Sequence, residues 1–164
     1  MSDSQRVVVT GMGAVTPLGN SVAEYWAGLK AGRSGGGLIT RFDTSKHKTK
    51  IACEVKGFDP LTIVGPKDAR KLDPFVLFAI AAGKEALADS GLDMEKVDRD
   101  DFGVIIGSGI GGLQFMEEQQ QVLNSQGPGR VSPFLIPRLI CNMAPGQTSI
   151  HLGLRGPSSC PVTT

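Results

Sequence analysis

Short apolar runs alternate along the chain with longer stretches in which apolar residues recur every three or four positions. Two continuous apolar runs, residues 6–10 and 102–106, predict short strands that are buried on both faces. Residues 158–163 are interpreted as a third buried strand, and residues 50–55 alternate enough to predict an edge strand. The Gly-rich and then basic stretch of residues 33–50 predicts a loop.

The first helix is predicted by the residues at its two ends. Ser21, followed three residues later by Glu24, forms a capping box, and Gly32 supplies the stop. Between them, four apolar residues fall at helical spacing: Val22, Tyr25, Trp26 and Leu29.

A second helix is predicted to begin at Asp73-Pro74, where a capping residue precedes proline at the first helical position, and to end at Gly91. Its predicted buried stripe consists of Phe75, Phe78, Ala79, Ala82 and Ala86. Further helices are predicted at about residues 112–124 and 137–152, and Pro145 is expected to kink or interrupt the last of them.

Strands that alternate with helices predict an α/β fold with a mostly parallel sheet. A chain of 164 residues, 40% hydrophobic and 20% charged, is large enough for one globular domain. Its apolar runs are far shorter than the roughly 20 residues that span a bilayer. The polar N-terminus has no signal-peptide pattern, so the sequence predicts a cytoplasmic protein.

Charge and cysteine content exclude several classes of function. The formal net charge of +1 gives no support to nucleic-acid binding. Cys53, Cys141 and Cys160 lie far apart in the sequence, without a C-x-x-C pair or a histidine at ligand spacing. The sequence therefore predicts neither a disulfide framework nor a metal site.

Residues 107–112 match the G-x-G-x-x-G pattern that can hold a pyrophosphate at a helix N-terminus. A dinucleotide site would also require an acidic residue at the end of another strand about 20 residues later. Glutamine and glycine fill that region and no strand is predicted there. The pattern is therefore interpreted as a tight strand-to-helix turn.

Several motifs together carry a resemblance to a known family. In chain order they are Val7-Val8-Val9-Thr10-Gly11-Met12-Gly13, Thr16-Pro17-Leu18-Gly19, Arg41-Phe42-Asp43, Arg70-Lys71-Leu72-Asp73, Ile106-Gly107-Ser108-Gly109-Ile110-Gly111-Gly112, Ser132-Pro133-Phe134 and Gly153-Leu154-Arg155-Gly156-Pro157-Ser158. In this order and at these separations they resemble the N-terminal half of the β-ketoacyl-acyl-carrier-protein synthases of the thiolase superfamily. The likeness is greatest to the elongating type II enzymes of fatty-acid synthesis.

The resemblance implies the thiolase-like fold in αβαβα layers, with residues 1–164 as its N-terminal half, and a homodimer. It also implies decarboxylative Claisen condensation of an acyl thioester with malonyl-acyl-carrier protein, without a cofactor. Acyl carrier protein is the implied partner, and neither nucleic acid nor a membrane is expected.

In the resembled family the nucleophilic cysteine would follow Thr164 directly, and two histidines would come much later. This chain has none of the three, so no catalytic residue is assigned and the chain alone is expected to be inactive. Cys160 is predicted to be packed inside the third strand. His47 and His151 are interpreted as surface or structural residues.

The resemblance assigns other roles by position. Ile110 matches the residue that gates the acyl pocket, and Phe134 and Leu135 match a segment that reaches the pocket of the neighbouring subunit. Both assignments compete with ordinary core packing. The three residues Lys67, Arg70 and Lys71 share one helical face and match the basic residues on which the acidic carrier protein docks. An ordinary solvated face is the alternative for them.

Two other functions remain open from the sequence. One is a non-catalytic partner subunit, like the chain-length factors that pair with ketosynthases and lack the cysteine. The other is a polyketide ketosynthase domain, since those domains share several of the same motifs. The residue that follows Thr164 distinguishes a condensing enzyme from a chain-length factor.

Overall fold

The computed structural model of the chain describes residues 6–162. The helices are α1 (Val22–Lys30), α2 (Pro66–Lys71), α3 (Pro74–Asp89), α4 (Leu113–Gln126), α5 (Leu135–Leu139) and α6 (Met143–Leu152). The strands are β1 (Gly36–Leu38), β2 (Ile51–Cys53), β3 (Val104–Ile105) and β4 (Ser158–Ser159), and two 3₁₀ turns span Pro60–Thr62 and Pro128–Arg130.

The chain divides into two units. The first contains the residues up to Phe58 together with Lys84–Leu92, and the second contains Asp59–Gly83 together with the residues from Asp93 onward. Helix α3 runs from the second unit into the first. Within residues 6–162, the buried apolar side chains belong to the second unit, and they are Val64, Leu72, Val76, Leu77, Ile80, Ala81, Val104, Phe115, Ala144, Pro145 and Leu154.

The predicted cap of α1 is confirmed. Ser21 Oγ accepts the backbone N–H of Glu24 at 3.2 Å, and the Glu24 carboxylate accepts the N–H of Asn20 at 2.7 Å. At the other end, Gly32 takes a left-handed φ of +63°, which glycine adopts without strain. The local signals therefore placed this helix correctly.

The apolar side of α1 is not its buried side. Trp26 is 57% exposed and Leu29 is 44% exposed, whereas the buried residue of the helix is Gly28. A Cβ on Gly28 would lie 3.2 Å from Leu18 Cβ, so the helix packs on the side where it has no side chain. The apolar side chains of α1 instead line a groove of about 1050 Å³. Its other walls are the Gly11–Ala14 loop and the end of α3.

The expected buried strand at residues 6–10 is also wrong. No strand forms there, and Val7 and Val9 are 96% and 82% exposed. A strand needs a neighbour to satisfy its backbone groups, and no described residue pairs with this run. A run of β-branched residues predicts a strand, but the run itself cannot supply the neighbouring strand that pairing requires.

Two carboxylates of α3 hold the loop that follows residue 10. Glu85 accepts the backbone N–H groups of Ala14 and Val22, both at 2.8 Å, one on each oxygen. Asp89 accepts the N–H of Met12 at 2.9 Å. A Cβ on Gly11 would overlap the backbone of the same helix, so the loop approaches α3 as closely as glycine allows.

Strands β1 and β2 form an antiparallel hairpin in the first unit, with Gly36 opposite Cys53 and Leu38 opposite Ile51. The predicted edge strand at residues 50–55 is confirmed over Ile51–Cys53. Its partner, β1, lies in the stretch of residues 33–50 that was predicted as a loop. That prediction was wrong for residues 36–38 because Gly36 and Gly37 belong to the strand, whereas glycine in a sequence usually signals a turn.

Strands β3 and β4 pair in parallel in the second unit, with Val104 opposite Ser158 and Ile105 opposite Ser159. Both strands were predicted, but both are shorter than expected. The described residues thus form one antiparallel and one parallel pair rather than a mostly parallel sheet. Thr163 and Thr164, at the end of the predicted third strand, lie outside the described residues.

Helix α3 begins and ends as predicted, but a different stripe is buried. The buried residues are Val76, Leu77, Ile80 and Ala81, and the residues of the predicted stripe are only partly covered. Apolar residues occupy most of the circumference of this helix, so both sets have helical spacing. The pattern alone could not choose between them.

The predicted helix over residues 137–152 is two helices, α5 and α6. The interruption falls at residues 140–142 and not at Pro145, which lies buried in the first turn of α6. Proline is tolerated there because the first N–H groups of a helix have no acceptor within it. No helix within residues 6–162 is long and apolar enough to cross a membrane.

We expect Glu85→Gln to loosen the loop at residues 11–22. Glutamine keeps the size of the side chain but offers one acceptor oxygen for two backbone N–H groups. Hydrogen bonds to charged groups are worth about 1.5–3 kcal/mol each, so the free energy of unfolding should fall by about 2 kcal/mol. Amide hydrogen exchange should show Ala14 or Val22 losing protection.

Glu117→Gln, at an exposed position of α4, is the matched control for this substitution and should leave both amides protected. Unchanged exchange at Ala14 and Val22 in the Glu85→Gln protein would contradict the role given to Glu85.

Candidate functional site

Ile110 lies on an open, mainly apolar cleft of about 590 Å³ in the second unit. The cleft is formed where the turn after β3 meets the end of α5 and the residues that follow β4. Its lining residues are Ile110, Leu139–Asn142, Cys160 and Val162. Ile110 is 62% exposed, so its side chain has room to change position.

The glycine turn after Ile110 brings two backbone segments into direct contact. Gly112 donates its N–H to the Leu139 carbonyl at 3.0 Å, and Gly111 has a φ of +80°. A Cβ on Gly111 would overlap the Leu139 carbonyl oxygen, and one on Gly112 would overlap the Arg138 carbonyl oxygen. The turn therefore fixes one wall of the cleft against the end of α5.

The same contacts argue against phosphate binding at residues 107–112. Gly111 donates its N–H to Ser108 Oγ at 3.2 Å, and the N–H of Gly112 is already bonded to Leu139. A phosphate cradle needs such amides to be free to face the ligand. The interpretation of this motif as a tight turn agrees with the structure.

Cys160 was expected inside a strand. It instead follows β4 and lies half-buried at the cleft. Cys141, between α5 and α6, lines the same cleft, whereas Cys53 is exposed on β2. The prediction for Cys160 was wrong because β4 ends at Ser159, one residue earlier. Within residues 6–162, no group of three or more His, Cys, Asp or Glu residues could hold a metal ion.

The three basic residues predicted for docking all lie on α2. Lys67 and Arg70 are exposed, and Lys71 is half-buried with its Nζ 5.1 Å from the ring centroid of Phe134. Asp68, on the same helix, has its carboxylate 3.6 Å from Nε2 of His151 of α6. The three basic residues therefore lie on a helix that adjoins α6.

Phe134 and Leu135 lie at the beginning of α5, away from the residues that line the cleft of Ile110. Phe134 is 42% exposed beside Lys71, and Leu135 is partly buried. The structure thus brings Phe134 together with the basic face of α2 and brings Ile110 together with the opposite end of α5. His151 is structural, since its Nδ1 also lies 2.8 Å from the Gln147 carbonyl.

The sequence interpretation missed two charged residues that lie beside Gly112 of the glycine turn. Asp73, expected only as a helix cap, is buried, and burial raises the pKa of its carboxyl group. The N–H of Phe75 and the guanidinium of Arg138 oppose this rise, and Glu118 adds to it. Arg138 lies with Cζ 3.8 Å from the ring centroid of Phe115. The sequence does offer one signal that Asp73 is buried, because this acidic residue stands between the apolar residues Leu72 and Pro74.

We expect Gly112→Ala to destabilise the second unit by about 2–3 kcal/mol, because the added Cβ forces backbone apart in a packed region. Gly109→Ala is the matched control in the same turn, since a Cβ there meets nothing within 4 Å. Thermal unfolding of the two variants measures the difference. Equal melting temperatures would show that the contact with α5 does not constrain the turn.

Asp73 should make the protein less stable as the pH rises through the raised pKa of its carboxyl group. A raised pKa in the folded state means that folding favours the protonated acid, so this contribution is present at low pH and lost on ionisation. Asp73→Asn should remove that part of the pH dependence and be more stable than the parent chain near neutral pH.

Asp101→Asn, which removes the same charge at an exposed position, is the control for net charge. Denaturant unfolding from pH 4 to pH 8 provides the measurement. A wild-type profile parallel to that of Asp73→Asn would contradict the assignment.

Comparison with known proteins shows which family the chain belongs to. Residues 4–164 match the family model described as "Beta-ketoacyl synthase, N-terminal domain". A curated relative, 3-oxoacyl-[acyl-carrier-protein] synthase 2 of Synechocystis sp., is 48% identical over 161 residues, which cover 98% of this chain and 39% of the relative. The chain thus spans about two fifths of the length of the curated relatives that it matches.

Two solved structures are also similar. The ishigamide ketosynthase/chain length factor matches with a TM-score of 0.82 and 30% identity, over 97% of this chain and 40% of that one. A type II PKS acyl-carrier protein in complex with its ketosynthase, bound to the hexaketide, matches with a TM-score of 0.71 and 26% identity, over 96% of this chain and 41% of that one. The fold is that of the N-terminal half of a thiolase-like ketosynthase, and the chain belongs to the family of β-ketoacyl synthase N-terminal domains.

Proposed function

We propose that the chain, residues 1–164, is the N-terminal part of an elongating 3-oxoacyl-[acyl-carrier-protein] synthase of fatty-acid synthesis. The observation that carries the proposal is the 48% identity with the Synechocystis relative over 98% of the chain. The apolar cleft beside Ile110 and the basic face of α2 supply, in one unit, the two surfaces that such an enzyme needs.

The proposed reaction joins two thioesters. An acyl group is held on a cysteine thiol, malonyl-acyl-carrier protein loses carbon dioxide, and the resulting carbanion attacks the acyl carbonyl. A carbon–carbon bond forms, the bond between the carbonyl carbon and the cysteine sulfur breaks, and the thiolate is regenerated. We assign that cysteine to the position after Thr164 and the two assisting histidines to the rest of the whole protein.

In this proposal the acyl chain occupies the cleft and Ile110 gates it. The apolar side chains around the cleft suit an alkyl chain, since each methylene group removed from water is worth about 0.8 kcal/mol. Phe134 and Leu135 are proposed to reach the pocket of the second subunit of a homodimer. No cofactor is required, because the bond changes involve neither a redox step nor a nucleotide.

The basic face of α2 is proposed to dock the acyl- and malonyl-loaded acyl carrier protein. Lys67 and Arg70 are exposed, and neither takes part in an ion pair among residues 6–162. Unpaired, exposed cations attract an acidic partner and accelerate its encounter. A carrier protein bound to its ketosynthase is present in one of the similar structures, which supports the choice of partner.

A chain-length-factor subunit is the second candidate, because one similar structure is a ketosynthase/chain length factor. The synthase is favoured because identity with that structure is 30%, against 48% with the Synechocystis synthase. A polyketide ketosynthase is disfavoured by the same comparison, at 26% identity. A glutamine in place of cysteine after Thr164 in the whole protein would favour the chain-length factor.

The double substitution Lys67→Glu with Arg70→Glu should weaken the binding of an acidic acyl carrier protein by about tenfold at low ionic strength, because two attractive contacts become repulsive. Titration calorimetry at several salt concentrations measures the affinity and its salt dependence.

Lys30→Glu with Lys96→Glu makes the same change in net charge at exposed positions outside α2, and it should bind the carrier protein normally. An equal loss in both double variants would show that only net charge matters. No loss in either would refute docking on α2.

A further inference from the structure

The loop that joins β1 to β2 concentrates positive charge. Its segment of residues 41–50 has four cationic residues, which are Arg41, Lys46, Lys48 and Lys50, against one carboxylate, that of Asp43. The formal charge of this segment is +3, whereas that of the whole chain is +1, so the other residues together carry −2. All four cationic residues are exposed. A local positive field of this kind attracts an anionic partner although the net charge of the chain is small.

Local hydrogen bonds hold this loop and occupy the neighbouring carboxylates. Thr40 donates its hydroxyl to the Glu54 carboxylate at 2.8 Å, and Asp43 accepts the N–H and the hydroxyl of Ser45 at 2.9 and 2.8 Å. Residues 44–47 form a turn that a backbone hydrogen bond of 2.9 Å closes. None of the ion pairs formed among residues 6–162 includes a lysine of this loop. The ammonium groups of the three lysines are therefore available to a partner.

Large apolar side chains are exposed on the same hairpin. Leu38 is 72% exposed, Ile51 is 64% exposed and Phe42 is 56% exposed. Leu38 lies opposite Ile51 in the strand pair, so these two side chains project from one face of the hairpin. The Phe42 ring meets the His47 ring edge to face, with 5.4 Å between the ring centroids. Exposed apolar side chains gathered beside unpaired lysines are typical of an interaction surface.

The combination of lysines and apolar side chains indicates the chemistry of the partner. An acidic polypeptide offers carboxylates to the lysines, but it must also carry an apolar patch of matching shape. The surface of an anionic phospholipid bilayer offers both, since its phosphate groups attract lysines and its acyl chains begin just below them. Lysine suits such a boundary, because its methylene groups lie along apolar surface while its ammonium group stays among the headgroups.

We propose that the hairpin of β1 and β2, residues 36–53, binds the surface of a membrane that contains anionic phospholipid. Lys46, Lys48 and Lys50 contact the phosphate groups, and Phe42 enters the boundary between headgroups and acyl chains. The chain lies on the bilayer and does not cross it. This partner departs from the expectation drawn from the family resemblance, which includes no membrane. The inference does not depend on the proposed function, because the hairpin belongs to the first unit and shares no residue with α2 or the cleft of Ile110.

Flotation with lipid vesicles tests the role of the lysines. The parent chain should bind vesicles of phosphatidylglycerol mixed with phosphatidylcholine, should not bind vesicles of phosphatidylcholine alone, and should be released as salt screens the attraction. Replacing the three lysines of the loop with glutamine should weaken binding about a hundredfold, because each lysine near an anionic surface contributes about fivefold. The substitutions are Lys46→Gln, Lys48→Gln and Lys50→Gln.

The matched control removes three positive charges from exposed positions outside the hairpin, with the substitutions Lys30→Gln, Lys96→Gln and Arg130→Gln. It should bind the anionic vesicles as tightly as the parent chain. Equal losses in the two triple variants, or no binding of the parent chain to anionic vesicles, would overturn the proposal. Lysine-dependent binding of polyglutamate without binding of vesicles would overturn it in favour of an acidic protein.

A fluorescent reporter tests whether Phe42 enters the bilayer. Trp26 is the one tryptophan of the chain, so Phe42→Trp in a Trp26→Phe background places a single tryptophan on the hairpin. Its emission should shift to shorter wavelength with anionic vesicles and should be quenched by lipids brominated on their acyl chains. A protein with Trp26 intact and Phe42 unchanged is the control and should show neither effect. Binding without shift or quenching at position 42 would refute insertion of Phe42.

Discussion

The close approach of two backbone segments at residues 111–112 is the constraint on which the second unit depends. The turn after β3 packs its backbone directly against the carbonyl groups at the end of α5, with no space for a side chain on either glycine. This contact fixes where α4 begins, where α5 ends and how Ile110 faces the cleft. Backbone contact of this kind is rigid because it has no rotamers to adjust.

Charged groups in this chain serve mainly to hold backbone. Glu85 and Asp89 accept N–H groups of the loop at residues 12–22, and Glu54 accepts the N–H and hydroxyl of Thr40, which lowers the pKa of the Glu54 carboxyl group. Asp73 also accepts a backbone N–H, that of Phe75 at 3.4 Å, but burial raises the pKa of its carboxyl group. Lys71, over an aromatic ring, is also unlike the exposed Lys67 and Arg70. Lys71 is the last residue of α2, and Asp73 directly precedes α3 two residues later.

The family is encoded in short local motifs, whereas the site depends on contacts between residues that are distant in the sequence. The motifs gave the family correctly because each is a short local arrangement of glycine, proline and polar residues that the backbone itself requires. The structure places Ile110 on an apolar cleft, and its role as the gate of an acyl pocket stays a prediction. Phe134 lies outside the lining of that cleft and contacts Lys71, which is 63 positions away in the sequence, so no local motif could indicate this contact.

The sequence by itself determined the family, the caps at Ser21 and Asp73, and the glycine turns, because these features depend on residues within a few positions of one another. Only the tertiary structure decided which face of α1 and α3 is buried, that residues 6–10 do not pair, and that Cys160 lies beyond a strand. Burial and strand pairing depend on what another part of the molecule covers. Helices with apolar residues on several faces leave that choice open, and distant contacts then settle it.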